Sequence, residues 1–198
     1  MSPSEQMGSR AAKESGQPSN PDAASDAALQ PKKSVRVGNA GLVLLAPYLP
    51  ALFDRTGLLV RPDTQIEATD IPRALRLLDY LVYGQAQPSD PGLELSRILC
   101  GIPFSQPVAA SADLSEGDAG LCDGLIAAAI SNWTALGKIS PAGLRETFLQ
   151  RHGELRQEND RVELAVERNA FDVLLDQVPW SFTSIRHCWM PALLQVAW

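Results

Sequence analysis

The stretch from Gly41 to Phe53 is the longest mainly apolar run of the chain, and it restricts the fold more than any other segment. A membrane-spanning helix takes about 20 apolar residues, so this run is too short to cross a bilayer. Pro47 and Pro50 each remove a backbone donor from it. Its place is therefore the interior of a soluble domain. Leu42, Leu45, Leu49, Leu52 and Phe53 recur at helical spacing, which predicts a helix kinked at the two prolines and closed by Gly57.

Further helices follow from the same reasoning. Asp70 stands as N-cap, Pro72 lies in the first turn, Leu75, Leu78, Leu81 and Val82 form a stripe, and Gly84 ends the helix. A short helix spans about Leu93 to Cys100. Glu116 to Leu136 offers a wide apolar face of Leu121, Leu125, Ile126, Ile130, Trp133 and Leu136, closed by Gly137. Ser140-Pro141 opens another helix, with Leu144, Phe148 and Leu149 turned inward and Gly153 as its stop. The period then changes to two. Val162, Leu164 and Val166 alternate with Arg161, Glu163 and Glu167, and Asn159-Asp160 supplies the turn of a β-hairpin. Phe171, Leu174, Leu175 and Val178 predict a last helix before Pro179, and two strands, Trp180 to Ile185 and Leu193 to Trp198, flank Met190-Pro191. The fold class is α+β: a predominantly helical domain of about six helices with a small antiparallel β-sheet near the C-terminus.

That domain is placed at residues 35–198, behind an arm of residues 1–34. The arm carries Pro3, Pro18, Pro21 and Pro31, one leucine and no aromatic side chain, too little apolar surface to offset ordering entropy, so disorder is expected there. Its charges cancel, which leaves the net −6 of the 198 residues on the domain and argues against nucleic acid as a partner. Met1-Ser-Pro-Ser-Glu lacks the layout of a secretory signal, and three widely spaced cysteines without a C-x-x-C point to a reducing compartment, the cytoplasm.

Each chemical motif has a plainer structural reading. Gly38-Asn-Ala-Gly41 follows Val35-Arg-Val37 as a phosphate loop would, but it fits neither glycine fingerprint and no lysine follows, so it reads as a helix start. His187-Cys188 would be an activated thiol only if the two side chains met, and neighbours in a strand point to opposite faces. His152 reads as a residue at a helix C-terminus. The histidines and cysteines show no metal-ligand spacing. Glu154, Glu158, Asp160, Glu163 and Glu167 alternate with Arg151, Arg156, Arg161 and Arg168, the pattern of a solvated hairpin surface, and no G-x-S-x-G occurs. No catalytic residue, cofactor or metal is expected, and the chain does not read as an enzyme. Three of the four tryptophans, Trp180, Trp189 and Trp198, fall close to the end of the sequence. Two readings stand together: a protein-interaction surface made of these three with Tyr48, or an aromatic core that pins the terminal strands.

Six segments in order resemble the tape measure proteins of extracellular contractile injection systems, the phage-tail-like particles that drive a tube through a sheath. They are Asn39-Ala-Gly-Leu-Val-Leu-Leu-Ala-Pro-Tyr-Leu-Pro-Ala-Leu-Phe, Arg73-Ala-Leu-Arg-Leu-Leu-Asp-Tyr-Leu-Val-Tyr-Gly, Leu99-Cys-Gly-Ile-Pro, Ser140-Pro-Ala-Gly-Leu-Arg-Glu-Thr-Phe-Leu-Gln-Arg, Asp172-Val-Leu-Leu-Asp-Gln-Val-Pro-Trp-Ser and Trp189-Met-Pro. The resemblance covers residues 35–198. It implies a non-enzymatic structural role in tube length control or in tube and baseplate initiation. The partners it implies are inner tube, baseplate or spike proteins, with three- or six-fold self-association, and it brings no nucleic acid and no membrane insertion. A second function remains open, an adaptor that recruits effector cargo or a chaperone-like partner through the arm. A helical ruler rises about 1.5 Å per residue, so a tube on the order of 1,000 Å would need roughly 670 residues. The arm could stretch to about 110 Å. On this arithmetic the chain acts at the baseplate end or beside a separate ruler.

Overall fold

A stretch that is apolar on every side must be enclosed on every side, and the run after Asn39 is. In the computed structural model, which describes residues 33–59, 65–85, 93–103, 113–158 and 161–198, strand β1 (Lys33–Val37) leads into a 3₁₀ helix over Ala40–Tyr48. Every residue from Ala40 to Ala46 is buried, and the chain continues directly as helix α1 (Leu49–Arg55). The predicted kinked helix is thus a 3₁₀ segment joined to a short α-helix, with Pro47 and Pro50 on either side of the junction. The backbone lies so close to its neighbour that a Cβ on Gly41 would stand 1.7 Å from the Phe148 carbonyl oxygen. Gly41 is there for this backbone contact, which the phosphate-loop comparison did not foresee.

Helix α2 (Ile71–Tyr83) has Pro72 in its first turn and ends at Gly84 in the left-handed conformation, as the stripe of leucines predicted. Helix α3 (Glu94–Leu99) is short, and its buried Ser96 hydroxyl accepts from Asn39 Nδ2 at 3.1 Å. Helix α4 (Glu116–Asn132) starts at Ser115, whose hydroxyl accepts from the Asp118 N–H at 3.1 Å. Arg73 of α2 grips Asp118 of α4 through two bonds of 2.9 and 2.7 Å, joining the two longest helices among the described residues near their starts. Ser140 caps helix α5 (Pro141–Leu144) in the same manner, and α5 runs on as a π turn over Arg145–Leu149. Arg145 and Gln150 reach from that turn to the open end of α2, donating to the Leu81 and Val82 carbonyls at 3.1 Å each.

The predicted stop at Gly153 is corrected: the helix ends at Leu149, and Gly153 opens strand β2 (Gly153–Glu158). A Cβ there would come within 2.9 Å of both Ala165 O and Ala40 Cβ, so this glycine serves sheet packing. Strand β3 (Arg161–Val166) alternates exposed and buried residues throughout and pairs with β2 in the expected hairpin. Strands β4 (Ser184–Ile185) and β5 (Leu193–Ala197) complete a sheet of order β1-β2-β3-β5-β4.

The α+β class holds, and the sheet is mixed instead of wholly antiparallel. β3 and β5 run parallel because residues 167–192 carry the chain over to β5 before it pairs. β1 also joins from the other end of the sequence, as an outer strand. The predicted strand from Trp180 shrinks to Ser184–Ile185, since Trp180 is bonded inward to Leu44. On the open face, Arg36 stands opposite Glu154 and Arg156 opposite Glu163. The expected arm and the Asn159-Asp160 turn lie outside the described residues, Lys33 and Ser34 excepted, which are already in β1.

Candidate protein-interaction surface

The tryptophans sit at the seam between helices and sheet. Trp189 is 3% exposed; its indole N–H donates to the Leu99 carbonyl at 2.9 Å, and its ring lies 5.5 Å from Phe53. His187 stacks on it at 4.5 Å. Gly101, with φ +76, passes under the Trp189 carbonyl, where a Cβ would stand 2.3 Å away. Trp180 is half-buried, donates to the Leu44 carbonyl at 2.9 Å, and has Tyr48 edge-on at 5.2 Å. Trp133, fully buried, lies 6.4 Å behind it. Part of each outer residue, Tyr48 and Trp180, remains at the surface. Trp198 is half-buried too, edge-on to Phe182 at 5.9 Å. The structure brings Tyr48 and Trp180 together and places Trp198 in a separate cluster.

That second cluster is organised by Arg151, which the hairpin pattern placed in solvent. The correction is large: Arg151 is 6% exposed, because β2 begins two residues later and turns this side chain under the sheet. It donates to Asp172 at 2.8 Å and to the Glu167 carbonyl, and its guanidinium lies 5.3 Å over the Trp198 ring. Burial pushes the Asp172 carboxyl up, but the Arg151 guanidinium, the Asn169 N–H and the Trp198 indole together hold it below the usual carboxylate range. Asp172 belongs to a capping box with Asn169 that opens the second long 3₁₀ helix, Ala170–Gln177, a three-residue one over Thr134–Leu136 lying between the two in sequence. Arg168 closes the cluster by donating to the Trp198 carbonyl at 2.7 Å.

This second 3₁₀ helix buries none of its residues. At three residues per turn, Asp172 and Leu175 share its inner ridge, while Ala170, Val173 and Asp176 share one that faces solvent, beside Phe171. Phe171 is 57% and Val173 66% exposed. The expected apolar stripe for an α-helix therefore breaks: Leu174 and Leu175 point inward and Phe171 does not. Val173, Leu175, Phe182 and Trp198 line an open depression of about 560 Å³, with Arg168 and Asp176 at its polar margins. The sequence carries one sign of this, the Asn169 and Asp172 cap spaced three apart, which marks a helix start without revealing a 3₁₀ winding.

The remaining chemistry is that of a scaffold. Burial pushes the Cys100 thiol up, and Cys122 is pushed up to about 12, chiefly by burial, so neither is a nucleophile at neutral pH. His187 lies in a loop after β4, not in a strand, while Cys188 faces solvent. Burial lowers the imidazole pKa of His187, opposed by the Ala46 backbone. His152 is exposed beyond the helix end. Glu154 is held below its usual range by Arg156 and Ser34 on the open sheet face. Among the described residues no group of His, Cys, Asp and Glu is placed to hold a metal, and no helix is long and apolar enough to cross a membrane.

No curated protein and no solved structure matches the chain. The family model of the contractile injection system tape measure protein does, over residues 2–198, a span that contains all six segments named above and the arm as well. The chain belongs to the contractile injection system tape measure protein family.

Proposed function

We propose that this protein initiates the inner tube at the baseplate end of a contractile injection particle and does not act as the ruler along the tube. Family membership gives a structural role and incorporation in the particle. The observation that favours initiation is helix length. Among the described residues the longest helix, α4, has 17 residues and spans about 25 Å. A ruler needs rise, whereas this arrangement offers a block with a sheet face. The docking surface proposed is the exposed part of the Tyr48 and Trp180 pair, with Trp198 at the sheet end. Trp189 holds the core beneath them. Aromatic rings fixed by a hydrogen bond on one side and open on the other suit a contact made once and kept.

The test is negative-stain electron microscopy of particles from cells lacking the gene, counted and measured for length. Few or aborted particles, normal in length when complete, are expected. A changed mean length would make the protein part of the ruler. Particles normal in number and length but empty of cargo would favour the adaptor.

A further inference from the structure

We infer that the outer edge of β1 takes up an extended segment of another particle component, a strand that alternates apolar and acidic side chains. The phase of the sheet's hydrogen bonds decides which backbone groups that edge offers. In β2 and the residues just before it, the chain turns alternately to its two neighbours. The His152 carbonyl accepts from the Glu167 N–H at 2.9 Å on the β3 side, and the Arg151 carbonyl accepts from the Ala40 N–H at 2.9 Å on the other. Gly153, Leu155 and Gln157 therefore bond to β1, where they stand opposite Val37, Val35 and Lys33. Ser34 and Arg36 fall between these and turn their N–H and C=O groups outward, and among the described residues no strand lies beyond them. The opposite edge is blunted, since β4 has two residues.

The side chains define what such a strand must carry. On the core face, Val35, Leu155, Leu164 and Val196 form one row across the sheet. Leu155 and Leu164 are 1% exposed, whereas Val35 at the end of the row is only half-buried, so an apolar residue on an added strand completes the row. On the open face, the Glu154 carboxylate is taken up by Ser34 and Arg156. Arg36 beside it is exposed and makes no hydrogen bond among the described residues, which leaves its guanidinium for a carboxylate from outside. Lys32, Lys33 and Arg36 make this stretch basic in a chain of net charge −6, so an acidic segment fits there and a basic one does not. Backbone bonds supply the affinity of such a contact, and the alternating side chains its selectivity. The inference rests on incorporation in the particle and not on the aromatic docking surface, and either can fail alone.

Amide hydrogen exchange of the full chain, alone and in purified particles, tests it. Ser34 and Arg36 should exchange fast in the isolated chain and at least about tenfold more slowly in the particle, while Val35 and Val37 are slow in both. Arg36→Pro removes one outward donor at an edge position where a strand tolerates proline, so the chain should fold, as circular dichroism checks. Its recovery in particles should fall by about fivefold or more. Arg36→Glu keeps the N–H and reverses the charge, and should lower recovery as well, whereas Arg36→Lys should not. Should Arg36→Pro fail to fold, the exchange comparison and Arg36→Glu decide. Equal exchange in the two states overturns the inference. So does slow exchange of Ser34 and Arg36 in the isolated chain, which would mean that the chain covers its own edge. Normal recovery of folded Arg36→Pro excludes strand addition, and normal recovery of Arg36→Glu excludes an acidic occupant; either outcome overturns it.

Discussion

Two long 3₁₀ helices of nearly equal length, far apart in the sequence, serve opposite purposes. Ala40–Tyr48 is buried on every side through its first seven residues, whereas Ala170–Gln177 buries none. Runs of 3₁₀ helix this long are uncommon, because the hydrogen-bond geometry is poorer than in an α-helix. In the first, packing compensates: sheet, α1 and the π turn surround it. In the second, a capping box and a buried arginine compensate, holding the helix from below and leaving its outer ridge free. The same winding can thus be imposed by a core or suspended from a polar cluster, and only the latter leaves a surface to offer.

The largest effect that would break this contrast is expected at Gly41. A methyl group there overlaps the Phe148 backbone, which no side-chain rotation relieves. Gly41→Ala is expected to cost more than about 4 kcal/mol, measured by urea unfolding, or to prevent folding. A loss under about 1 kcal/mol would mean that the two backbones separate easily and that the first helix is not clamped. Next comes Arg151. Replacing it with Met strands Asp172 against the indole of Trp198 and should cost about 3 kcal/mol, since breaking a buried pair leaves a charge uncompensated. Adding Asp172→Asn to Arg151→Met keeps the cap and removes the orphan charge, so the double variant should regain part of the loss.

Acid sharpens the comparison further. Asp118, held by Arg73 and capped by Ser115, and Asp172, held by Arg151, both have folded pKa values below the unfolded value of about 3.9. Groups of this kind stabilise the fold fully above the unfolded pKa, and that stabilisation is lost as pH falls through the folded one. Urea midpoints should therefore be level near neutrality and drop below about pH 4. Asp172→Asn should be less stable at neutral pH and show a shallower drop. An unchanged slope would mean that the Arg151 pair does not support the second helix.

Much of this architecture is legible in the sequence. The leucine stripe of α2 with Gly84 beyond it, the Ser140-Pro141 start and the alternation in β3 each place local preference and burial in agreement, so pattern suffices. Legibility fails where a single contact decides. Nothing in the spacing of Arg151 separates it from Arg156 and Arg161, because its burial depends on Asp172 and Trp198, distant in sequence and joined only by the fold. The parallel pairing of β3 with β5 is likewise a property of the crossover, not of either strand. The Trp cluster was legible as important and ambiguous as to purpose, and the structure divides it: Trp189 inside, Trp180 and Trp198 half outside. Phe171 misled the α-helical reading because a spacing of three fits both windings, and only burial tells them apart.

The smallest expected effect is the most telling about the second helix. Phe171→Ser with Val173→Ser removes the two most exposed large apolar side chains, and since neither is buried, stability should change by less than about 0.5 kcal/mol. Leu44→Ala in the first 3₁₀ helix, at a site 1% exposed, should by contrast cost about 3 kcal/mol. A folding protein has no need of large apolar side chains in water, and two neighbouring ones are costly in solubility. If the serine pair leaves unfolding unchanged, Phe171 and Val173 are surplus to the fold. If it destabilises the fold by several kcal/mol, Phe171 and Val173 are covered in solution and the contrast between the two helices disappears.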